Sequence, residues 1–469
     1  MTDWYESKRL DINYKWRHGD LFPIMLNAGK FVSTEIRKSF GDKRKILVFC
    51  GHGNNGGDGI VAAGYLCKEN DVKVLVFQNK SGNVSDLNMR AQNHSEGLSI
   101  SVNPPVEEVD RLISWSEIIV DALLGVGVSG KLKEPYYSLV QKINSSGKRI
   151  VSVDIPTGFG TDAAVIPNYT LTFTDMKKGM NEKNSGKISV GGIGMDNEAA
   201  EETGPGDMIY FPLLKLDGHK GQNGRLHIFA GWESSGAGII SSRASQSSLV
   251  DLVSISVPRS KYQIFTQRLT GEMVIETSEK ERESEIVGRA SAILIGPGLG
   301  KTQSARNKLV EILKLKKPTV IDADAIRMCS EFPELLHEMC ILTPHRTEFE
   351  ILSKGSCNDE LVREFTKKFP CTVLLKGQQD FITNGKLELM STGGSPRMAM
   401  GGTGDMLAGL TAGFLARGMI PFRSASLASF VNKVNSERVA AKRSYWFNVE
   451  DLLDELGNTM KFLHEFIGT

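Results

Sequence analysis

The sequence predicts two α/β domains in tandem, and three observations carry that prediction. The chain has 469 residues, against roughly 150 for an average domain and more than 200 for many α/β units. Short apolar runs alternate with helical stretches along most of its length, and each run is continuous rather than alternating, as strands buried on both faces of a parallel sheet must be. Glycine clusters stand at the ends of those runs and not in a linker. With 40% apolar and 24% charged residues, the composition is that of a globular protein and excludes disordered, collagen-like and coiled-coil classes.

Taken in order, the first half opens its series at Lys45. KILVFCGHGNNGGDGIVAAGYL reads as strand, Gly/Asn loop over 53–59, then a helix from Ile60 to Leu66. VKVLVF at 72–77, IIVDALLGVG at 118–127, RIVSVDIPTG at 149–158 and YTLTFT at 169–174 repeat the grammar. After Pro212 a second series runs through GRLHIFAG at 224–231, LVDLVSISV at 249–257, AILIGPGLG at 292–300, PTVIDADA at 318–325, CILTPH at 340–345 and TVLLKG at 372–377. The expected domains are therefore 1–212 and 213–469, joined near FPLLKLDGHKG. GNNGGDG has no counterpart downstream and GGTGD none upstream, so two different sites are expected.

Charge and cysteines bound the partners. Lys+Arg number 56 and Asp+Glu 55, a net charge of +1, which provides no field for nucleic acid or an anionic membrane. Neither partner is expected. The six cysteines form no CxxC pair, which suits a reducing compartment. The opening MTDWYESKRLDINYKWRHGD has no apolar core of a signal sequence, and no run approaches the ~18 apolar residues of a membrane span. A cytoplasmic location is expected.

Ligands of open α/β sheets bind at the carboxyl ends of the strands, which is where the polar clusters lie. In the first half, Asn54, Asn55, Gly56, Gly57 and Asp58 offer backbone N–H groups and a helix N-terminus to an anion. They lack both the lysine of a Walker loop and the spacing of a dinucleotide fingerprint. Asp121 and Asp154 each follow an apolar strand, and a carboxylate there is costly unless used; either could instead cap the next helix. With Asn55 and Thr157 they make an all-oxygen set suited to a hard cation, with one carboxylate left for proton transfer.

In the second half, MAMGGTGDMLAG runs from a glycine turn directly into an apolar helix. The amides of Gly401, Gly402, Thr403 and Gly404 would form an anion hole, and Asp405 in the first turn would be a base for activating a hydroxyl in phosphoryl transfer, or else an acidic residue that only favours the helix dipole. Gly298 in GPGLG, Asp322 and Asp324 in DADA, His345 in TPHRTEFE and Lys376 after TVLL are supporting positions, each of which alone could be only structural.

The string GHGNNGGDGIVAAGYL, with DALLGVGVSG, VSVDIPTG and LTFTDMKKG, resembles the NAD(P)H-hydrate epimerase family over roughly residues 10–210. That resemblance implies a Rossmann-like three-layer domain that interconverts the R and S hydrates of NADH or NADPH, with potassium at its site. Substrate phosphates and ribose would meet Asn54 to Asp58 and the loop Gly125, Val126, Gly127, Val128, Ser129, Gly130 and Lys131. Potassium would meet Asn55, Asp121 and Thr157, the last standing where the family usually has Ser, and Asp154 would be the acid–base. Leu26 replaces an acidic residue usual in the family.

HKGQNG, SSGAG, GPGLG, DADA, LTPHRTE, LLKG and GGTGD, in that order, resemble the ribokinase-like NAD(P)H-hydrate dehydratase family over roughly 213–469. The resemblance implies phosphorylation of the S hydrate by ADP with Mg2+, loss of phosphate and recovery of NADH or NADPH. Asp405 would activate the hydroxyl, Ala237, Gly298 and His345 would touch the hydrate, and Lys376, Gly377, Gln378, Gln379, Asp380 and Gly401 to Gly404 would hold the nucleotide. ATP in place of ADP stays open, as does a vitamin or sugar kinase of the same superfamily behind a non-catalytic binding module. A homo-oligomer is expected, although Gly- and Ala-rich helix faces can pack within one chain as well as between chains.

Overall fold

The computed structural model describes residues 3–78, 84–95, 97–128, 130–214 and 217–468. They divide into two compact units, Met1–Asn197 and Glu198–Thr469. The boundary lies earlier than the expected 212/213, for a local reason. Thr203 donates its N–H to the Met390 carbonyl at 2.8 Å, and the buried Asp207 pairs with Arg423 at 3.2 Å, so the segment after Glu198 is tied to the second unit.

The first unit is built on β1 (Lys45–Gly51), β2 (Asp71–Phe77), β3 (Ser99–Val102), β4 (Ile118–Ala122), β5 (Arg149–Val153), β6 (Tyr169–Phe173) and β7 (Lys187–Gly191). All pair in parallel in the order β3-β2-β1-β4-β5-β6-β7. One face buries Val48, Val120 and Val151 beneath the helices Phe22–Phe40 and Asn54–Leu66. The other buries Leu47, Phe49 and Ile119 beneath Val106–Trp115 and Tyr136–Ser145. The result is the three-layer doubly wound arrangement that the continuous apolar runs require.

The second unit carries β8 (Arg225–Phe229), β9 (Leu252–Val257), β10 (Met273–Glu276), β11 (Ala292–Ile295), β12 (Thr319–Ile321), β13 (Cys340–Leu342), β14 (Thr372–Leu375), β15 (Asp380–Thr383) and β16 (Glu388–Ser391). Their order is β10-β9-β8-β11-β12-β13-β14-β15-β16. The sheet is parallel as far as β14, but β15 and β16, strands the sequence reading did not single out, pair antiparallel. The turn at Asn384-Gly385, with Gly385 at φ +79°, folds these strands back as a hairpin. The six cysteines are free, and no helix among the described residues is long and apolar enough to cross a membrane.

Candidate functional sites

In the first unit, the expected loop over 53–59 is instead helix from Asn54, capped by Gly53. Glycine disfavours helix interiors by about 1 kcal/mol relative to alanine, yet close packing demands it here. A Cβ on Gly56 would lie 2.0 Å from the Gly51 carbonyl oxygen, and one on Gly57 would lie 2.5 Å from Met25 Cε. Gly56 seats the helix on β1 and Gly57 seats it against the helix Phe22–Phe40; neither lines the cavity at its N-terminus. Asn54, Asn55 and Asp58 do line it.

That cavity has a volume of about 540 Å³ and is also walled by Gly125 to Val128 and Asp154. Lys131 is exposed and, like Gly130, lies off its wall; Ser129 falls outside the described residues. Asp154 occupies φ 60°, a conformation rare for a residue with a side chain and often found at working sites. The Lys177 ammonium holds its Oδ1 at 2.6 Å, and the Phe173 N–H and Thr172 hydroxyl donate to the same oxygen at 3.2 Å.

Asp121 is fully buried on β4 and accepts from the Thr157 hydroxyl at 2.6 Å, the Thr157 N–H at 2.9 Å and the Ser152 hydroxyl at 2.8 Å. Burial raises its carboxyl pKa, and those donors hold the rise back. Asn55 differs: it is 9% exposed, and neither its Oδ1 nor its Nδ2 has a hydrogen-bond partner among the described residues. A buried amide left without partners costs about 1–3 kcal/mol, so its carbonyl oxygen is a vacant ligand. An orphaned carbonyl oxygen is a donor that suits a hard monovalent cation; Asp121 and Thr157, bonded to each other, do not themselves line the cavity.

Sequence reasoning missed Lys177 and Asp11. Both line the same cavity, together with Asp58. Burial pushes the Asp11 carboxyl up to about 7, with the Asp154 charge adding and Lys177 opposing. It pushes Asp58 well above the carboxylate range for the same reasons.

In the second unit, the helix Thr403–Ala416 is capped by Gly402 at φ 95°, a left-handed conformation that suits glycine. Asp405 sits in its first turn. Burial pushes its carboxyl up to about 7; the Asp322 charge adds to this and Lys376 opposes it. Lys376 Nζ lies 3.0 Å from Asp322 Oδ1, and Asp322 also accepts from Thr343 at 2.7 Å. Burial weakens the Lys376 ammonium, but the Asp322 and Glu348 carboxylates outweigh it and raise its pKa. Asp322, read only as a supporting position, thus fixes the lysine beside Asp405.

Ala237 and Gly298 come together, since a Cβ on Gly298 would lie 3.1 Å from that of Ala237. His345 caps the helix Arg346–Ser353 through a reciprocal bond with Glu348 and leaves its ring 46% exposed. Asp324 is structural: its carboxylate accepts the Gly300 N–H at 3.0 Å.

A second cavity of about 1020 Å³ is lined by the whole stretch Lys376 to Asp380 and by Thr403 and Gly404. Gly401 and Gly402 lie off this wall. Asp380 is committed inward, to Ser429 at 2.6 Å and the Gly377 N–H at 2.9 Å. Asn432 and Lys433, which the sequence did not single out, line it as well. Both sit in the buried, polar middle of the helix Pro421–Arg443, where no amphipathic stripe marks them.

The two sheets, each with buried carboxylates beside a lysine at the strand ends, define a two-domain α/β enzyme. The sequence matches the family described as NAD(P)H-hydrate dehydratase over residues 226–458 and the YjeF-related protein N-terminus over 22–179. It is 33% identical to a bifunctional NAD(P)H-hydrate repair enzyme of Archaeoglobus fulgidus, over 95% of each chain. A counterpart in Methanothermobacter thermautotrophicus is 34% identical over 96% of this chain and 93% of its own. Among solved structures, a ribokinase-like superfamily protein of Enterococcus faecalis superposes with a TM-score of 0.51 at 25% identity, covering 56% of this chain and 96% of that one. The chain belongs to the bifunctional NAD(P)H-hydrate repair enzyme family.

Proposed function

We propose that the first unit epimerises the hydrates of NADH and NADPH, and that the second dehydrates the S form at the expense of ADP, giving AMP and phosphate. One observation carries the reading. In a chain matching bifunctional repair enzymes almost end to end, each half sets a carboxylate beside a lysine that lines a cavity: Asp154, itself on the wall, with Lys177, and Asp405 with Lys376.

Hydration of a dihydronicotinamide puts a hydroxyl on the carbon bonded to the ring nitrogen. In the first unit Asp154 exchanges a proton with that hydroxyl, while Asn54 and the amides of Gly125 to Val128 hold the sugar and phosphates. Asn55, Asp121 and Thr157 would hold potassium, which when bound adds positive charge next to the phosphates. In the second unit Asp405 takes the hydroxyl proton of the S hydrate as its oxygen attacks the terminal phosphoryl of ADP. The amides of Gly401 to Gly404 receive the charge on the transferring group. Lys376 steadies the nucleotide in the larger cavity, where Mg2+ bound with the nucleotide would offset phosphate charge. The C–O bond of the phosphate ester then breaks, phosphate leaves with the bonding pair, and the adjacent ring carbon loses a proton whose C–H pair restores the double bond.

The test follows the absorbance of reduced nicotinamide in a mixture of R and S hydrate, with ADP, with ATP or with neither, in potassium and magnesium. Recovery beyond the S fraction with ADP is expected. Recovery that halts at the S fraction would deny the epimerase half, and none with either nucleotide would favour a small-molecule kinase.

A further inference from the structure

The cavity of the first unit holds more acid–base equipment than one proton exchange needs. Its wall is completed by the helix Trp4–His18, from which Trp4, Lys8 and Asp11 face the cavity together, as residues spaced by four and three must. The helix is tightly seated: a Cβ on Gly127 would lie 2.4 Å from the Trp4 indole nitrogen. Asp154 reaches the same space from the end of β5, already paired to Lys177. The Asp11 carboxylate makes no hydrogen bond or ion pair with another described residue, although Asp58, Asp154 and Lys177 all act on it or on one another electrostatically. A carboxyl without structural employment, facing a cavity from a well-packed helix, is free to act on what the cavity binds.

Inverting a carbon that bears both a hydroxyl and a ring nitrogen gives such a group a task. The C–O bond breaks with its electron pair on oxygen, an acid supplies that oxygen with a proton, and the nitrogen lone pair closes a C=N+ bond. Water then adds to the opposite face, the C=N pair returns to nitrogen, and a base removes the proton of the adding water. One water leaves and one enters, and nothing is consumed. The two proton transfers fall on opposite faces of the ring, so two groups serve better than one. We infer that Asp11 is the second acid–base residue of the epimerase half, working against Asp154 across the bound ring. This rests on the epimerase reading above. The raised Asp11 carboxyl, about 7 through burial and the facing Asp154 charge against Lys177, suits the partner that begins protonated.

The experiment uses the full chain and pure R hydrate in potassium without nucleotide, following the appearance of S hydrate by chromatography. Protein is normalised to its dehydration of S hydrate with ADP, and substrate affinity is measured on each variant to establish that the cavity is formed. Asp11→Asn should lower kcat on the order of 10²–10⁴-fold, with KM little changed, and should remove one limb of the pH–rate profile near neutrality; Asp11→Glu should restore part of both. Epimerisation should also carry labelled oxygen from water into the product. Asp11→Asn at wild-type kcat with both limbs intact would overturn the inference, as would loss of the limb in Asp58→Asn instead. An inactive wild-type chain would overturn the epimerase reading itself.

Discussion

Asp405 is held in a state that serves chemistry at the expense of folding. Its ordinary pKa of 3.8 rises to about 7, chiefly through burial. Between about pH 4 and pH 7 the unfolded chain has already released this proton while the folded one retains it, so stability falls as pH rises through that window. Asp405→Asn should therefore raise the melting temperature at pH 8 by several degrees and leave it little changed at pH 4. The same change should abolish dehydration of the S hydrate, whose wild-type rate should climb with pH to a plateau above about 7. Calorimetry at the two pH values together with a pH–rate profile checks both halves; equal shifts at pH 4 and pH 8 would deny the raised pKa. Asn55 invites a parallel test, since its amide has no partner among the described residues. A ligand that binds only the folded state stabilises it by mass action, so potassium should raise the melting temperature of the first unit, and Asn55→Ala should lose most of that response. An undiminished response would place the cation elsewhere.

At the scale of elements, close approach of backbones decides where glycine is compulsory. The helices Thr403–Ala416 and Ser235–Gln246 touch so closely that a Cβ on Gly409 would lie 2.2 Å from the Ser241 carbonyl oxygen, and one on Gly413 would lie 2.8 Å from the Ser245 carbonyl oxygen. The Ser241 hydroxyl also donates to the Asp405 carbonyl at 3.0 Å, so the same contact helps to position Asp405. Gly409→Ala should cost about 1–3 kcal/mol and lower dehydratase kcat, read by denaturant melts and turnover, whereas exposed Gly457, with nothing near its Cβ position, should accept Ala without loss. This packing also explains what was legible in the sequence. Central strands such as β1, β4, β8 and β11 are buried throughout or nearly so and stand out as unbroken apolar runs. The edge strands β3 and β7 are largely half-exposed, so their runs dissolve into SISV and KISVG and escape notice. The helical start at Asn54 was hidden because glycine propensity argues for a loop, and only the contact with Gly51 reverses it. Of the candidate sites, the strand-end motifs around Asp121 and Asp154 and the glycine turn before Asp405 could be read because chemistry and turn residues coincide there. Asp11, Lys177, Asn432 and Lys433 could not be singled out, because tertiary packing alone brings them to the cavities.

At the scale of the whole molecule, the two halves address one chemical problem whose parts must be matched in rate. Spontaneous hydration does not respect one face of the ring, so a dehydratase limited to the S form strands the rest unless an epimerase accompanies it. Each carboxylate belongs to its own unit, and each unit has its own sheet and core; the connecting species, the free hydrate, can diffuse. Two full-length variants separate the steps. Asp154→Asn preserves side-chain volume and tolerates the positive φ at this position better than most residues, and should recover reduced cofactor only up to the S fraction. Asp405→Asn should recover none. An equimolar mixture of the two should restore recovery beyond the S fraction, at a rate that rises with the concentration of each, because hydrate released by one chain is taken up by the other. A mixture that stalls at the S fraction, while wild-type protein proceeds to completion, would mean that the hydrate passes between the two sites of a single chain without entering solution.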